Sequence, residues 1–196
     1  PYEYAIFLGA GSVVFYTLVG GFLAVSRTDF IQGVMMFFAI LVVPICGAMA
    51  SGGFEATVAA VESIDASLLD PFTKVDGTTI GFIEVVSLLA WGIGYFGQPH
   101  ILVRFMAIRT SKEVAQATHI AMTWVILSLA AAVAVGIVGR VYLTTPLEGT
   151  ASETVFLVMT NQLFPPIVAG LVLSAVLAAI MSTASSQLLV AASAFA

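Results

Sequence analysis

The segment Trp91-Gly-Ile-Gly-Tyr-Phe-Gly-Gln-Pro-His100 crowds three glycines, a proline, a glutamine, a histidine and two large aromatics with polar rims into the second half of an apolar run. Trp91, Tyr95 and Pro99 stand at i, i+4 and i+8, one face of a helix. Their broad apolar surfaces with a donor at the rim suit a small amphipathic solute. Gly94, Gly97 and Pro99 are expected to leave backbone amides and carbonyls free to grip a carboxylate or ammonium group, with Gln98 beside them. An interfacial aromatic belt with a proline kink would use some of the same residues, but a belt needs neither the glycines nor the glutamine. A second group, Ala179, Ser182 and Thr183, has the spacing i, i+3, i+4. Two hydroxyls and a helix carbonyl there supply about half the oxygen shell of a hard cation such as sodium. The competing reading is that the hydroxyls bond back to their own helix.

Other polar residues carry blander readings. Glu84 lies near the outer end of its apolar stretch and can snorkel. His100 and Arg104 follow the broken segment, where Arg104 reads as a cytoplasmic anchor. His119 reads as a packing residue, and the lone Cys46 as small filler. Metalloprotease, paired-carboxylate, Ser/His/Asp and phosphate-loop patterns are absent, so enzymatic catalysis has no support. Neither a carbonyl filter nor a charged ring argues for a channel.

The elements that must hold these residues are membrane helices. The chain is 60% hydrophobic and 9% charged, with mean hydropathy +1.10, whereas soluble domains carry roughly 25% charged residues. Five spans are predicted, at 5–25, 30–50, 79–99, 114–140 and 165–190, within one transmembrane domain fragment over 1–196. A broken helix in a bilayer survives only against protein or a water-filled cavity, and transporters bind substrate at such breaks.

Four of the six basic residues, Arg27, Arg104, Arg109 and Lys112, fall in two short loops, while the 51–78 connection is acidic. The positive-inside rule therefore runs the first span from outside to inside. No feature points to nucleic acid; the partners expected are a small-molecule substrate and the lipid bilayer. Gly20-Gly21 invites a bend, the turn Ser26-Arg27-Thr28 is expected to precede Asp29 as cap of the second span, and Pro44 is expected to kink that span. The loop carries a stripe Val58, Val61, Ile64 and Leu68. A short external helix over 151–164, capped by Ser152 or Thr150, serves as either lid or anchor. The absence of an initiator methionine and the apolar run still continuing at Ala196 are expected of a piece of a longer chain.

Three stretches resemble the sodium:solute symporter family, and within it the symporters that carry proline: Gly20-Gly-Phe-Leu-Ala-Val-Ser-Arg-Thr-Asp29, Trp91 through Met106, and Leu173 through Leu189. The resemblance covers essentially the whole chain. It implies an all-α transmembrane fragment, core helices four to eight, of the leucine-transporter-like fold of two inverted five-helix repeats. It also implies sodium-coupled uptake of L-proline by alternating access in the bacterial inner (cytoplasmic) membrane. Trp91, Tyr95, Gln98 and Pro99 would then serve the substrate site. Ala179, Ser182 and Thr183 would serve co-transported sodium, and Asp29 the cytoplasmic sodium route. Core helices of the same polypeptide absent from this sequence would complete the sodium site. The same resemblance allows a sensor module fused to a histidine kinase, or a symporter for another solute such as pantothenate.

Overall fold

The computed structural model describes residues 2–74, 76–95 and 97–195. Among the described residues seven α-helices follow in order: α1 (Tyr2–Ala50), α2 (Phe54–Asp65), α3 (Phe82–Tyr95), α4 (Pro99–Met106), α5 (Ser111–Tyr142), α6 (Val155–Leu163) and α7 (Pro166–Phe195). Single 3-10 turns occupy Ala66–Leu69 and Gly149–Thr154. Among the described residues the only β pairing is an isolated bridge between Thr73 and Thr79. Three helices, α1, α5 and α7, are long and apolar enough to cross a membrane, so the chain is a multi-pass, all-α membrane protein.

With 49 residues, α1 would be about 73 Å long if straight, more than twice the hydrocarbon thickness. It is not straight. Gly21 has φ 54° and ψ −149°, dihedrals open to a residue without Cβ. Beyond Gly21 the helix runs antiparallel to α7: Asp29 lies against Ser186, while Ala39 and Val43 join Val172 and Ala175 in the core. Before Gly21, Tyr16 reaches the Met181 carbonyl. Going backward from 29 to 16, the chain returns toward the start of α7 instead of running past its end, so α1 folds back sharply at Gly21.

The turn expected at 26–29 is therefore displaced. Residues 26–30 are helical, and the Ser26 and Thr28 hydroxyls donate to the carbonyls of Phe22 and Ala24, at 2.8 and 3.0 Å. Asp29 lies within the helix and caps nothing. Pro44 keeps helical dihedrals; the non-helical residue in α1 is Gly21.

The core gathers Ala39, Val43 and Ala48 of α1, Val135 and Val138 of α5, Leu143, Met159 of α6, and Val172 and Ala175 of α7. Glycines let α6 sit deep. A Cβ at Gly47 would lie 2.8 Å from both Met159 Cε and Val138 Cγ1, and one at Gly139 would press on Val155 and on Met159 Sδ. Met159 and Thr160 are fully buried, so α6 is seated as an anchor rather than poised as a lid. Neither Ser152 nor Thr150 caps it: α6 starts at Val155, behind a 3-10 turn in which the Ser152 hydroxyl bonds the Gly149 carbonyl. In the outer loop, α2 buries Thr57 and Val61, whereas Val58, Ile64 and Leu68 are exposed. Only one member of the expected stripe faces the protein.

Candidate functional site

Helix α7 holds the first set of candidate residues. The Ser182 and Thr183 hydroxyls both donate to the Ala179 carbonyl, each at 3.1 Å. This is the back-bonding that competes with a binding role. It also brings the three oxygens together, with both hydroxyls donating to the one carbonyl. Ala179 and Ser182 are half-buried and Thr183 is exposed. One helix thus offers part of an oxygen shell, open on its other side.

The broken segment is built differently. Helix α3 ends at Tyr95, and α4 begins at Pro99 in the first-turn position where proline costs least. Trp91 and Tyr95 share a face, with ring centroids 5.9 Å apart. Pro99 belongs to the next helix, so the continuous face expected through it ends at Tyr95. The amides of Gly97 and Gln98 are not free: they donate to the carbonyls of Gly94 and Tyr95, at 3.1 and 3.3 Å. The Gln98 carbonyl accepts from Ile101 and Leu102, while its side chain makes no capping bond and is exposed. Phe96 lies outside the described residues. Among those described in α3, all are exposed except half-buried Val85; Trp91 is 74% exposed and Tyr95 52%. Among the described residues no hydrogen bond joins the Trp91–Pro99 group to the Ala179–Thr183 group.

A third group links the two regions. Arg104 of α4 donates through Nη2 to Asp29 Oδ2 of α1 and to Ser186 Oγ of α7. The Ser186 hydroxyl also lies 3.2 Å from Asp29 Oδ2 and 2.8 Å from the Ser182 carbonyl, so its one proton is shared between two acceptors. Ser185, fully buried, donates to the same Ser182 carbonyl at 3.0 Å. The Asp29 side chain is 12% exposed and that of Arg104 45%. The carboxylate is satisfied unevenly: Oδ1 is buried without a partner, as is Gln32 Oε1 one turn along α1. Such a buried, unpaired acceptor carries a desolvation cost. Arg104 is thus more than an anchor. Ser185, Ser186 and Gln187 follow the Ala179–Thr183 group in the sequence, but the contact of Ser186 with Asp29 on another helix is not legible from spacing, nor is the burial of Gln32 Oε1.

Glu84 has a local role: Oε2 accepts the Gly81 amide at 2.8 Å, and Oε1 pairs with Lys74. His100 is half-buried and His119 exposed. In the outer loop, the Thr73 hydroxyl and the Phe72 amide hold the Asp70 carboxyl below the usual range. The Thr78 hydroxyl and amide do the same for Asp76.

The sodium:solute symporter family matches residues 1–196 of this chain. The chain belongs to that family. It is 49% identical to the high-affinity proline transporter PutP of Bacillus subtilis (strain 168), over 98% of this chain and 40% of that protein. It is 45% identical to the osmoregulated proline transporter OpuE of the same organism, over 98% of this chain and 38% of that protein. To the sodium/proline symporter of Escherichia coli (strain K12) it is 44% identical, again over 98% and 38%. The chain spans about two fifths of the length of these relatives, all named as transporters or symporters and none as an enzyme. No solved structure matches it.

Proposed function

We propose that this chain is the central part of an importer that draws L-proline across the bacterial inner membrane on an inward sodium gradient. Its helices would be core helices four to eight of a leucine-transporter-like fold, with the remaining core helices supplied by the rest of the polypeptide. The Ala179 carbonyl with the Ser182 and Thr183 hydroxyls would present one side of the sodium shell. Trp91 and Tyr95 would pack against the pyrrolidine ring, with Gln98 and Pro99 beside them at the break. The Gln98 side-chain carboxamide, which makes no capping bond, is the natural contact for a polar group of the substrate. Asp29 would lie on the cytoplasmic sodium route.

The observation that carries this reading is the convergence of three oxygens on one face of α7, in a chain whose relatives are named for proline. Sodium bridging α7 to a helix from outside this chain would hold the substrate cavity together, and its departure would let the helices part. That makes uptake depend on both solutes. The relatives' names favour proline over pantothenate. In the full-length parent, Ser182→Ala and Thr183→Ala should each raise the sodium needed for half-maximal proline uptake by about tenfold or more, the order of one lost bond to a charged group. Normal sodium activation in both variants would end the assignment.

A further inference from the structure

Arg104 is the cation that the broken helix sends into the packed body of the protein. Its guanidinium meets Asp29 and Ser186 on two other helices, while α3, on the far side of the break, is exposed along nearly its whole length. Ser186 stands one turn beyond Ser182 and touches both the Ser182 carbonyl and Asp29. Oxygens therefore run without interruption along α7, from Ala179 through Ser182 and Ser186 to Asp29, over about 10 Å. A sodium ion leaving the Ala179–Thr183 group meets Ser186 and Asp29 next, and finds that carboxylate already holding a tethered cation.

We propose that Arg104 is a positioning residue that latches α4, and with it the inner half of the broken helix, until sodium takes its place on Asp29. This rests on the sodium reading given above. Two cations on one carboxylate repel each other, so sodium arriving from α7 displaces the guanidinium. Two features fit exchange better than a permanent bridge. Asp29 is bonded through Oδ2 alone, with Oδ1 bare. The guanidinium also borders an open groove of about 450 Å³ lined by Phe22, Ser26, Asp29, Phe30 and Ala107, into which it can swing. Release of Arg104 frees α4 and opens the inner mouth. No covalent bond is made or broken.

The test uses the full-length parent carrying Ala107→Cys in an otherwise cysteine-free background, labelled by a charged maleimide in inside-out vesicles. With Arg104 present, sodium should raise the labelling rate about fivefold or more, within the usual range of coupling between sites. Arg104→Gln should label fast without sodium and respond to it no further. Its kcat for uptake should fall about tenfold while the proline KM stays within about twofold, a loss in the opening step and not in binding. Arg104→Lys should restore the sodium response in part. An unchanged sodium response in Arg104→Gln, or a lysine variant no better than glutamine, would overturn the latch. Should Arg104→Gln fail to reach the membrane, Ser186→Ala removes one of the two anchors and should raise sodium-free labelling about twofold; no rise overturns the proposal. Ser182→Ala separates the two readings. If it loses the sodium response while Arg104→Gln keeps it, only the latch falls; if Ser182→Ala keeps it, the sodium reading falls.

Discussion

The packed body of α1, α5, α6 and α7 and the broken pair α3–α4 come from one chain, yet the first is closed around a core and the second is exposed along most of its length. In the body, small residues let helices close on one another: Gly47 and Gly139 seat Met159, and Ala39, Ala48 and Ala175 line the core. The broken pair has glycines just as dense, at 92, 94 and 97, but a Cβ at Gly92 or Gly94 would meet nothing within 4 Å. The comparison separates glycines such as Gly47 and Gly139, which this chain's own packing requires, from Gly92 and Gly94, which it does not. Arg104 is the tie between the two regions.

The sharpest way to break the comparison is through the exposed face. Trp91→Ala in the full-length parent should raise the proline KM by roughly tenfold or more, the scale of a lost aromatic contact, and leave half-maximal sodium nearly unchanged. Equal shifts in both would mean that the aromatic stripe supports the fold and does not form a separate substrate surface. Next in size is a stability contrast. Gly139→Val overpacks the seat of α6 and should cost about 1–3 kcal/mol, read as a lower melting temperature of the purified parent. Gly94→Ala should leave this chain's own packing untouched. If Gly94→Ala lowers the melting temperature as much as Gly139→Val, helices beyond this chain press on the broken segment even without substrate.

The smallest effect lies in the outer loop. Asp70 and Asp76 are hydrogen-bonded as carboxylates and titrate below the ordinary value of 3.8. A depressed value in the folded state contributes stability that is present above about pH 4 and lost as the pH falls through the lower folded value. Protection of the Phe72 and Thr78 amides, which these carboxylates accept, measured against the intrinsic exchange rate at each pH, should fall only below that point. Protection already lost between pH 5 and 7 would contradict the assignment.

Much of this was legible in the sequence, for local reasons. Three glycines and a proline crowded into an apolar run mark a break, and the structure interrupts the helix between Tyr95 and Pro99. The spacing 179, 182, 183 fixes a shared face wherever that segment is helical. What escaped was set by geometry between distant segments. Asp29 and Arg104 are 75 positions apart, and charge alone made one a cap and the other an anchor. The bend invited by Gly20-Gly21 is where α1 reverses, but the separate turn expected around Arg27 is absent, because those residues stay helical. Spacing puts Pro99 on the face of Trp91 and Tyr95, but the helix stops at Tyr95. The amides expected to be free at the break find partners three residues back, a pairing that residue spacing does not reveal.

The central claim is that the oxygens of α7 and the aromatics of α3 are two halves of one coupled site. Equilibrium proline binding to the purified full-length parent, at low and at saturating sodium, tests it most directly. Sodium should tighten proline binding by about tenfold in the native protein, a typical coupling between sites. Ser182→Ala should abolish that gain, while Trp91→Ala should weaken binding at both sodium concentrations and keep the ratio. Proline binding that ignores sodium in the native protein, or a full sodium effect surviving in Ser182→Ala, would contradict the account.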